Sequence, residues 1–358
     1  MTKRIIGIDV ARALAIIGMI IVNFKMVLGH EGDSWMQSFS NIFDGKAAAT
    51  FVVLAGIGLA FMTNSSIKNN DELKLKKSKK SILKRALFLF TVGLSYIYIW
   101  PADILHFYGI YMLLTLLFIK SRPKIILLFS VFLIFIYPIL MFFFNYDTNW
   151  NFTTYTYQDF WTLKGFFRNL FYNGFHPVIP WASFMLIGLW FGKQDLNNDK
   201  FIKRSLWVSL SIFILVRLTS ALSIYFLSEG NESIANELLQ VLGTSPMPPL
   251  PVYMLSGSSI AIFIISICIL ISRKFNNNSI IIALTKTGQL ALTFYVAHVI
   301  IGMGSMEIFS ATELGMYSLN FSIVYAFIFS LLCIIFAVIW TKYKKLGPLE
   351  WVMRKLTS

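Results

Sequence analysis

Apolar runs of about 20 residues recur along the whole chain, and no other feature restricts its fold as strongly. A helix needs roughly 17–25 apolar residues to cross a hydrocarbon core about 30 Å thick. Of the 358 residues, 57% are hydrophobic and only 13% are charged, which is too little polar surface for a soluble globule. The sequence therefore predicts an all-α polytopic membrane protein with about ten transmembrane helices, located in the cell membrane. The expected spans are 5–28, 46–63, 84–100, 104–119, 125–144, 177–192, 205–227, 252–272, 286–304 and 321–340.

The 31 basic residues are distributed unevenly between the loops and give the chain a formal net charge of +14. They concentrate in alternate loops, which is typical of membrane proteins rather than of nucleic-acid-binding proteins. The positive-inside rule places these loops and both chain ends in the cytoplasm, and no nucleic-acid partner is expected. The basic segments are 65–85, Lys120–Lys124, Lys193–Arg204, Arg273–Lys274 and Lys342–Lys355.

Three of the connecting segments have distinctive patterns. The lysine-dense segment 65–85 is predicted to be a solvated loop attracted to anionic lipid, with a site for ligand phosphates as the alternative. From Phe160 to Phe171 the apolar residues fall on one helical face, which predicts an extracytoplasmic helix lying in the membrane interface. The proline-rich segment that begins at Thr244 is expected to be extended until the next span begins.

Among the charged residues inside predicted spans, where each costs roughly 2.5–3.5 kcal/mol on insertion scales, three are candidates for a functional role. Asp9 and Arg12 stand three positions apart on one face of the first helix. They either neutralise each other and lock that helix into the bundle, or line the entrance for a cofactor. Arg217 has no acid within a helical turn, so it needs a carboxylate, carbonyls or an anionic ligand from another helix.

The histidines are all predicted to lie toward the outer face of the bundle. Each one alone is typical of an interfacial or hydrogen-bonded structural residue, but together they indicate a polar site in the outer half. Their spacings match no compact ligand motif, so no metal is expected. Both cysteines lie deep in apolar runs and are predicted to be core residues. The residues concerned are His30, His106, His176, His298, Cys268 and Cys333.

Several longer motifs occur along the chain in a characteristic order. RIIGIDVARALAIIGMIIVNF is followed by His30 with Ser34-Trp35, and then by NIFDGKAAATFVVLAGIGLAF. Later elements are HPVIPWASFMLIGLWFGK, GQLALTFYVAHVII and LGPLEWVMRKLT. Together they resemble the transmembrane acyltransferase superfamily, in particular the branch of heparan-α-glucosaminide N-acetyltransferase and related uncharacterised bacterial membrane proteins. The segment DILHFYG departs from the pattern, because it has His106 where members of that branch often carry a Gln-Arg pair.

The resemblance implies that residues 1–358 form a single transmembrane acyltransferase-like domain. Such a protein moves an acyl group, with acetyl as the first candidate, from cytosolic acyl-CoA to an amine or hydroxyl of an extracytoplasmic glycan or other envelope acceptor. The donor would bind at the basic side through Asp9, Arg12 and Arg217, where guanidinium groups suit phosphate. The lipid bilayer, acyl-CoA and the acceptor are the expected partners, and the sequence leaves a homodimer open.

The same resemblance assigns catalytic roles near the outer end of the first helix. His30 is expected to be the general base, because a neutral imidazole can take the proton of the acceptor. Asn23, about two helical turns earlier, is expected to donate to the thioester oxygen, and His298 is a further catalytic candidate. An acyl-histidine intermediate is the alternative to direct transfer.

Two other classes of function fit the same sequence features. A membrane transporter or exporter of a small molecule would also use charged residues and glycines inside its spans. A structural or immunity-type membrane protein is the third candidate. An enzyme consumes acyl-CoA in proportion to its product, whereas a transporter moves its substrate unaltered, so stoichiometry separates the first two classes.

Overall fold

The computed structural model describes residues 4–310 and 312–357, and most of these residues are helical. A short antiparallel hairpin pairs β1 (Trp150–Asn151) with β2 (Thr156–Tyr157), and two stretches, Asn169–Asn173 and His298–Met303, are π-helical. The all-α prediction is therefore confirmed. The helices are α1 (Ile6–Leu28), α2 (Ser34–Asn41), α3 (Lys46–Lys68), α4 (Glu72–Ser95), α5 (Leu105–Phe118), α6 (Pro123–Phe143), α7 (Leu163–Arg168), α8 (Val178–Gly192), α9 (Asp199–Ser228), α10 (Glu232–Leu242), α11 (Pro251–Lys274), α12 (Ser279–Gln289), α13 (Ala291–Ala297), α14 (Gly304–Phe309), α15 (Leu319–Tyr343) and α16 (Pro348–Thr357).

Seven described helical segments are long and apolar enough to cross a membrane, which confirms a polytopic membrane protein. An eighth results if Leu163–Asn173 and Val178–Gly192, bent by 48°, form one broken span. The predicted number of ten also includes α4, whose first half is rich in lysine, and α5, which has only 14 residues. The number of spans and their orientation remain predictions.

The lysine-rich segment is helical, so the prediction of a loop over 65–85 is wrong. Only residues 69–71 connect α3 to α4. The Asp71 carboxylate caps α4 by accepting a hydrogen bond from the Lys74 backbone N–H at 2.9 Å, and Lys120 pairs with Glu72 at 2.6 Å. Because lysine and leucine are good helix formers, a capped segment of this composition stays helical.

Other elements differ from the predictions in smaller ways. The helix expected over 160–171 begins only at Leu163 and continues as the π-helical stretch to Asn173. The proline-rich segment, which was expected to be extended, contains neither helix nor strand until α11 begins at Pro251, and it bends at residues 246–248. The ninth predicted span, 286–304, is not one continuous helix, because α12 ends at Gln289, α13 begins after Leu290, and a π-helical stretch follows.

The contacts divide the chain into two compact units, each drawn from separate parts of the sequence. The first comprises residues up to 51, 197–207 and 261–356, and there α1 packs against α12, α13 and α15. The second comprises mainly 52–196 and 208–260, and there α5 packs against α4 and α8, while α8 also packs against α6. Within the second unit α3 and α8 approach backbone to backbone, because a Cβ on Gly188 would meet the Val53 carbonyl oxygen and lie 3.0 Å from Gly56 Cα.

Candidate active site

The N-terminal end of α1 carries a buried carboxylate held between two guanidinium groups. Asp9 is 4% exposed; it accepts from Arg12 Nη1 at 2.7 Å through Oδ1 and from Arg4 Nε at 2.7 Å through Oδ2. The predicted pairing of Asp9 with Arg12 is confirmed, and Arg4 is an addition that the sequence pattern did not indicate. One carboxylate offsets only one of two guanidinium charges, so the cluster is net positive.

Helix α12 comes unusually close to α1 at the level of this cluster. A Cβ on Gly288 would collide with the Asp9 carbonyl oxygen and lie 3.2 Å from the Ala13 backbone nitrogen. Only glycine permits this approach without moving one of the two backbones. The contact fixes the height of α12, and hence the start of α13, relative to α1.

Toward the other end of α1, two predicted catalytic residues meet. The Asn23 side-chain nitrogen lies 2.9 Å from His298 Nε2, although 275 positions separate the two residues. His298 is fully buried and is the first residue of the π-helical stretch His298–Met303. π-Helical stretches are rare in proteins, and those that do occur are often found at functional sites. The extra residue in such a turn changes the directions in which its side chains point.

Aromatic rings surround the imidazole of His298. The ring centroid of Tyr295 is 5.2 Å away and that of Phe24 is 6.3 Å away. Phe24 is itself fully buried and stacks on Tyr325 with a centroid separation of 5.1 Å. A hydrogen bond in such low-dielectric surroundings is stronger than in water, so Asn23 fixes the orientation of the ring.

Helix α13, which leads into His298, begins with a cap supplied by the C-terminal helix α16. Glu350 Oε1 accepts from the backbone N–H of Leu292 at 2.8 Å and of Thr293 at 3.1 Å, and Oε2 accepts from the Thr293 hydroxyl at 2.5 Å. The carboxylate thus satisfies two N–H groups that have no partner within the helix. Burial raises the pKa of Glu350, and these hydrogen bonds offset only part of that effect. Sequence reasoning missed this role, although Glu350 is an acid in an otherwise basic tail.

His30 follows the end of α1 in a loop whose backbone is held on both sides. The Tyr317 N–H donates to the Leu28 carbonyl at 3.0 Å, and the Leu319 N–H donates to the Glu31 carbonyl at 2.8 Å. The His30 side chain is exposed. The loop therefore presents an accessible imidazole on a fixed stretch of backbone, and its catalytic role stays a prediction.

An ion pair below His30 was not predicted. Lys25 Nζ lies 2.8 Å from both carboxylate oxygens of Asp44 and 3.0 Å from Asn41 Oδ1. It ties α1 to the segment between α2 and α3. The sequence contained an indication of this contact, since Lys25 is a charged residue within the first predicted span and Asp44 lies in the motif NIFDGKAAATFVVLAGIGLAF.

Arg217 belongs to the second unit, whereas Asp9 and Arg12 belong to the first. It is exposed on α9, and its guanidinium donates to the hydroxyl of Thr244. A carboxylate or carbonyl partner from another helix is not among its described contacts, where a neutral hydroxyl takes that place, and an anionic ligand, the third expected partner, stays a prediction. Participation of Arg217 in donor binding stays a prediction.

The second unit also contains a buried network of Tyr96, Asp103 and His106. Tyr96 Oη donates to Asp103 Oδ1 at 2.5 Å, and Asp103 Oδ2 lies 3.0 Å from His106 Nδ1 and accepts from the His106 backbone N–H at 3.1 Å. Burial raises the pKa of Asp103, but its interactions with His106 and Tyr96 outweigh that effect and hold the pKa below its usual range. Asp103 thus caps α5 and orients His106, a role that the sequence did not reveal.

The described residues provide no evident metal centre. Over 4–310 and 312–357, no group of three or more His, Cys, Asp or Glu side chains is arranged to hold an ion. Cys268 and Cys333 are buried free thiols, which confirms that they are core residues.

Comparison with known proteins gives two family matches that together cover the chain from residue 4 to residue 358. The model of "Heparan-alpha-glucosaminide N-acetyltransferase, catalytic" matches residues 4–230, and that of a "Protein of unknown function (DUF418)" matches residues 190–358. The "Uncharacterized protein YxaH" of Bacillus subtilis (strain 168) is 22% identical over 411 residues, covering 99% of this chain and 94% of that protein. The first match contains Asp9, Asn23 and His30, and the second contains His298.

Proposed function

Because the chain belongs to the heparan-alpha-glucosaminide N-acetyltransferase catalytic family, we propose that it moves an acetyl group from cytosolic acetyl-CoA to an acceptor on the far side of the membrane. The family match supports a membrane acetyltransferase-type function, and the apolar helices support a multi-pass membrane protein. The finer proposal is that the acceptor is an amine or hydroxyl of a glycan or other envelope compound. In this proposal the whole chain, 1–358, acts as one acyltransferase domain.

The donor would bind with its nucleotide at the N-terminal end of α1. The cluster of Arg4, Asp9 and Arg12 supports this proposal, because it is net positive and guanidinium groups form strong hydrogen bonds with phosphate. The positive-inside rule assigns the same end to the cytoplasm, where acetyl-CoA is present. The thioester would then point along α1 toward Asn23.

The observation that carries the chemical proposal is the contact between Asn23 and His298 at the π-helical stretch. An amide NH₂ has two N–H groups, so Asn23 can hold His298 with one and donate to the thioester oxygen with the other. His298 Nε2 faces Asn23, which favours direct transfer over an acetylated His298. His298 would therefore act by positioning Asn23.

His30 would be the general base of the reaction. Its imidazole takes the proton from the acceptor while the acceptor nitrogen or oxygen attacks the thioester carbonyl carbon. The carbon–sulfur bond breaks, coenzyme A leaves as the thiolate, and the thiolate receives the proton. The exposed position of His30 beyond the end of α1 supports this role, because an acceptor outside the bundle can reach it.

The test compares His30→Ala with a matched neighbour, Glu31→Gln. Protein in proteoliposomes is supplied with acetyl-CoA and a panel of amine and hydroxyl acceptors, and coenzyme A binding is measured by calorimetry. Loss of a positioned base costs about 10²–10⁴-fold in rate, so His30→Ala should transfer that much more slowly and bind coenzyme A normally. Wild-type rates in His30→Ala would remove His30 from the mechanism. Failure of the wild-type protein to consume acetyl-CoA with any acceptor would refute the proposed function.

A transporter is the second candidate, because the segment 279–309 is interrupted at Leu290 and again at the π-helical stretch. Interrupted helices are common around the substrate sites of secondary transporters. In the same proteoliposomes a transporter would move a labelled compound unaltered, whereas the enzyme would release one coenzyme A for each acetylated product. The ratio of free thiol to product therefore decides between the two functions.

A further inference from the structure

A cleft of about 450 Å³ opens in the first unit, between the N-terminal end of α1, helix α12 and the C-terminal end of α15. Four basic side chains line it, although three separate parts of the sequence supply them. They are Arg4, Lys286, Lys344 and Lys345. No acidic residue is among the lining residues, so the cleft concentrates four positive charges.

Among the described residues, the three lysines of the cleft have no carboxylate as a direct partner. Over the described ranges, no carboxylate lies within ion-pair distance of Lys286, Lys344 or Lys345, whereas Lys25, Lys120 and Arg273 each have one. Arg4 shares the Asp9 carboxylate with Arg12, so its charge is only partly offset. Lysines that only flank a membrane span do not have to line the same cleft, but these three do.

The cleft also offers neutral hydrogen-bonding groups. The side-chain amides of Asn276 and Gln289 line it and can donate to oxygen atoms. The apolar residues Ile6 and Ile282 also line it, together with Thr285 and Thr341. Several cations, amide donors and an apolar wall suit a ligand with a compact, multiply charged oxyanion joined to a less polar body.

We propose that this cleft binds a phosphate group carried by a larger ligand. Two sources have this chemistry: the nucleotide of coenzyme A, whose assignment here rests on the proposed function, and the headgroup of an anionic lipid, which does not. At neutral pH a phosphate monoester carries about two negative charges and a diester carries one, and each presents several acceptor oxygens, so a monoester in particular matches the four cations better than a carboxylate does. The cleft thereby extends the positive cluster at Asp9 and Arg12 outward along α12 and α15.

The experiment uses the full chain in nanodiscs of zwitterionic lipid, with coenzyme A, dephospho-coenzyme A and pantetheine as soluble probes in calorimetry. The variants are Lys286→Gln and the double variant Lys344→Gln with Lys345→Gln. Lys342→Gln is the matched control, because Lys342 is an exposed lysine on the same end of α15 that does not line the cleft. Melting temperatures verify that all variants are folded.

If the nucleotide supplies the phosphate, both cleft variants should weaken coenzyme A binding by about tenfold or more, the factor expected from losing a charge-assisted hydrogen bond. Binding should also weaken with salt, pantetheine should be insensitive to the substitutions, and Lys342→Gln should bind as the wild type does. If a lipid supplies the phosphate, coenzyme A affinity is unchanged in the variants. Anionic lipid added to the nanodiscs then raises the melting temperature of the wild type and of Lys342→Gln but not that of the cleft variants.

The proposal is overturned if neither coenzyme A affinity nor the lipid effect differs between the cleft variants and the wild type. Acetyl transfer measured on the same samples separates this failure from that of the proposed function. If the cleft variants bind coenzyme A and transfer acetyl groups as the wild type does, the proposal of phosphate binding in the cleft is refuted, and the proposed acetyltransferase function is unaffected. If the wild type never consumes acetyl-CoA but shows the lipid effect, phosphate binding in the cleft is supported and the proposed acetyltransferase function is refuted.

Discussion

The cap that Glu350 places on α13 leads to a quantitative prediction about the break in the segment 279–309. Replacing Glu350 by Ala removes the acceptor of two backbone N–H groups and of the Thr293 hydroxyl. Loss of an N-cap alone costs about 0.5–2 kcal/mol, and loss of the hydrogen bond from the Thr293 hydroxyl adds about 0.5–1.5 kcal/mol. We therefore expect Glu350→Ala to lower the free energy of unfolding by about 2–3 kcal/mol. At about 1.3 °C per kcal/mol for a chain of this size, the melting temperature should fall by about 3–4 °C.

The neutral isostere Glu350→Gln separates the geometry of the cap from its charge. Its amide oxygen still accepts from the backbone of α13, so most of the stability should remain. Because burial holds the folded pKa of Glu350 above its ordinary value of about 4.3, the stability it contributes is fully present below that value. That contribution is lost as the pH rises through the folded pKa. The wild type should therefore lose stability relative to Glu350→Gln as the pH rises from about pH 4.

The assay is thermal unfolding in detergent, followed by intrinsic fluorescence from about pH 4 upward, because burial raises the pKa of Glu350 above its ordinary value. Glu307→Ala is the control, because Glu307 is an exposed acid on α14. An unchanged melting temperature in Glu350→Ala would show that α13 starts without help from α16. A difference between the wild type and Glu350→Gln that does not vary with pH would refute the charge argument.

Two further predictions follow from close packing and from a buried carboxylate. Gly288→Ala should destabilise the protein by about 1–3 kcal/mol, because its Cβ would collide with the Asp9 carbonyl; Gly58→Ala, whose Cβ meets nothing within 4 Å, should melt at or above the wild-type temperature. Asp103→Asn should melt below the wild type at neutral pH. Because interactions with His106 hold the pKa of Asp103 below its usual range, this deficit is present above about pH 4 and disappears as the pH falls through the folded pKa. A constant deficit down to pH 3 would contradict that assignment.

Local sequence spacing was sufficient to predict one part of the candidate site. Asp9 and Arg12 are three positions apart on a helix, so their pairing follows from helical geometry alone. Arg4 also pairs with Asp9, but it precedes the first residue of α1, so helical periodicity does not predict its position. The sequence therefore predicted the pair but not the excess positive charge of the cluster.

The contact between Asn23 and His298 could not be predicted in this way. It joins residues 275 positions apart, and it depends on how α1, α12 and α13 pack. The break at Leu290 and the π-helical stretch re-aim His298, whereas hydropathy predicted one continuous span. Hydropathy detects the average apolar character of a segment, and a single-turn irregularity leaves that average unchanged.

The prediction for the lysine-rich segment failed for a different reason. Charge density was taken to indicate a loop, but lysine has a high helix propensity, and the Asp71 cap gives α4 a defined start. For Arg217, the described contact shows that a guanidinium needs hydrogen-bond acceptors and not necessarily a carboxylate. The hydroxyl of Thr244, in the irregular segment before α11, is sufficient as a direct contact.

The placement of polar groups on α1 sets a physical requirement for any donor that uses it. From Asp9 to Asn23 the helix advances 14 residues, a rise of about 21 Å, and the positions between them are almost all apolar. A helix of this kind tolerates the membrane because its charged groups are paired near the ends and its middle is apolar. An acyl donor that is anchored by phosphate near Arg12 and reacts near Asn23 must therefore be long and flexible. Coenzyme A has its phosphates and its thioester at opposite ends of an extended arm, whereas a compact donor such as acetyl phosphate would have to leave one of the two ends unoccupied.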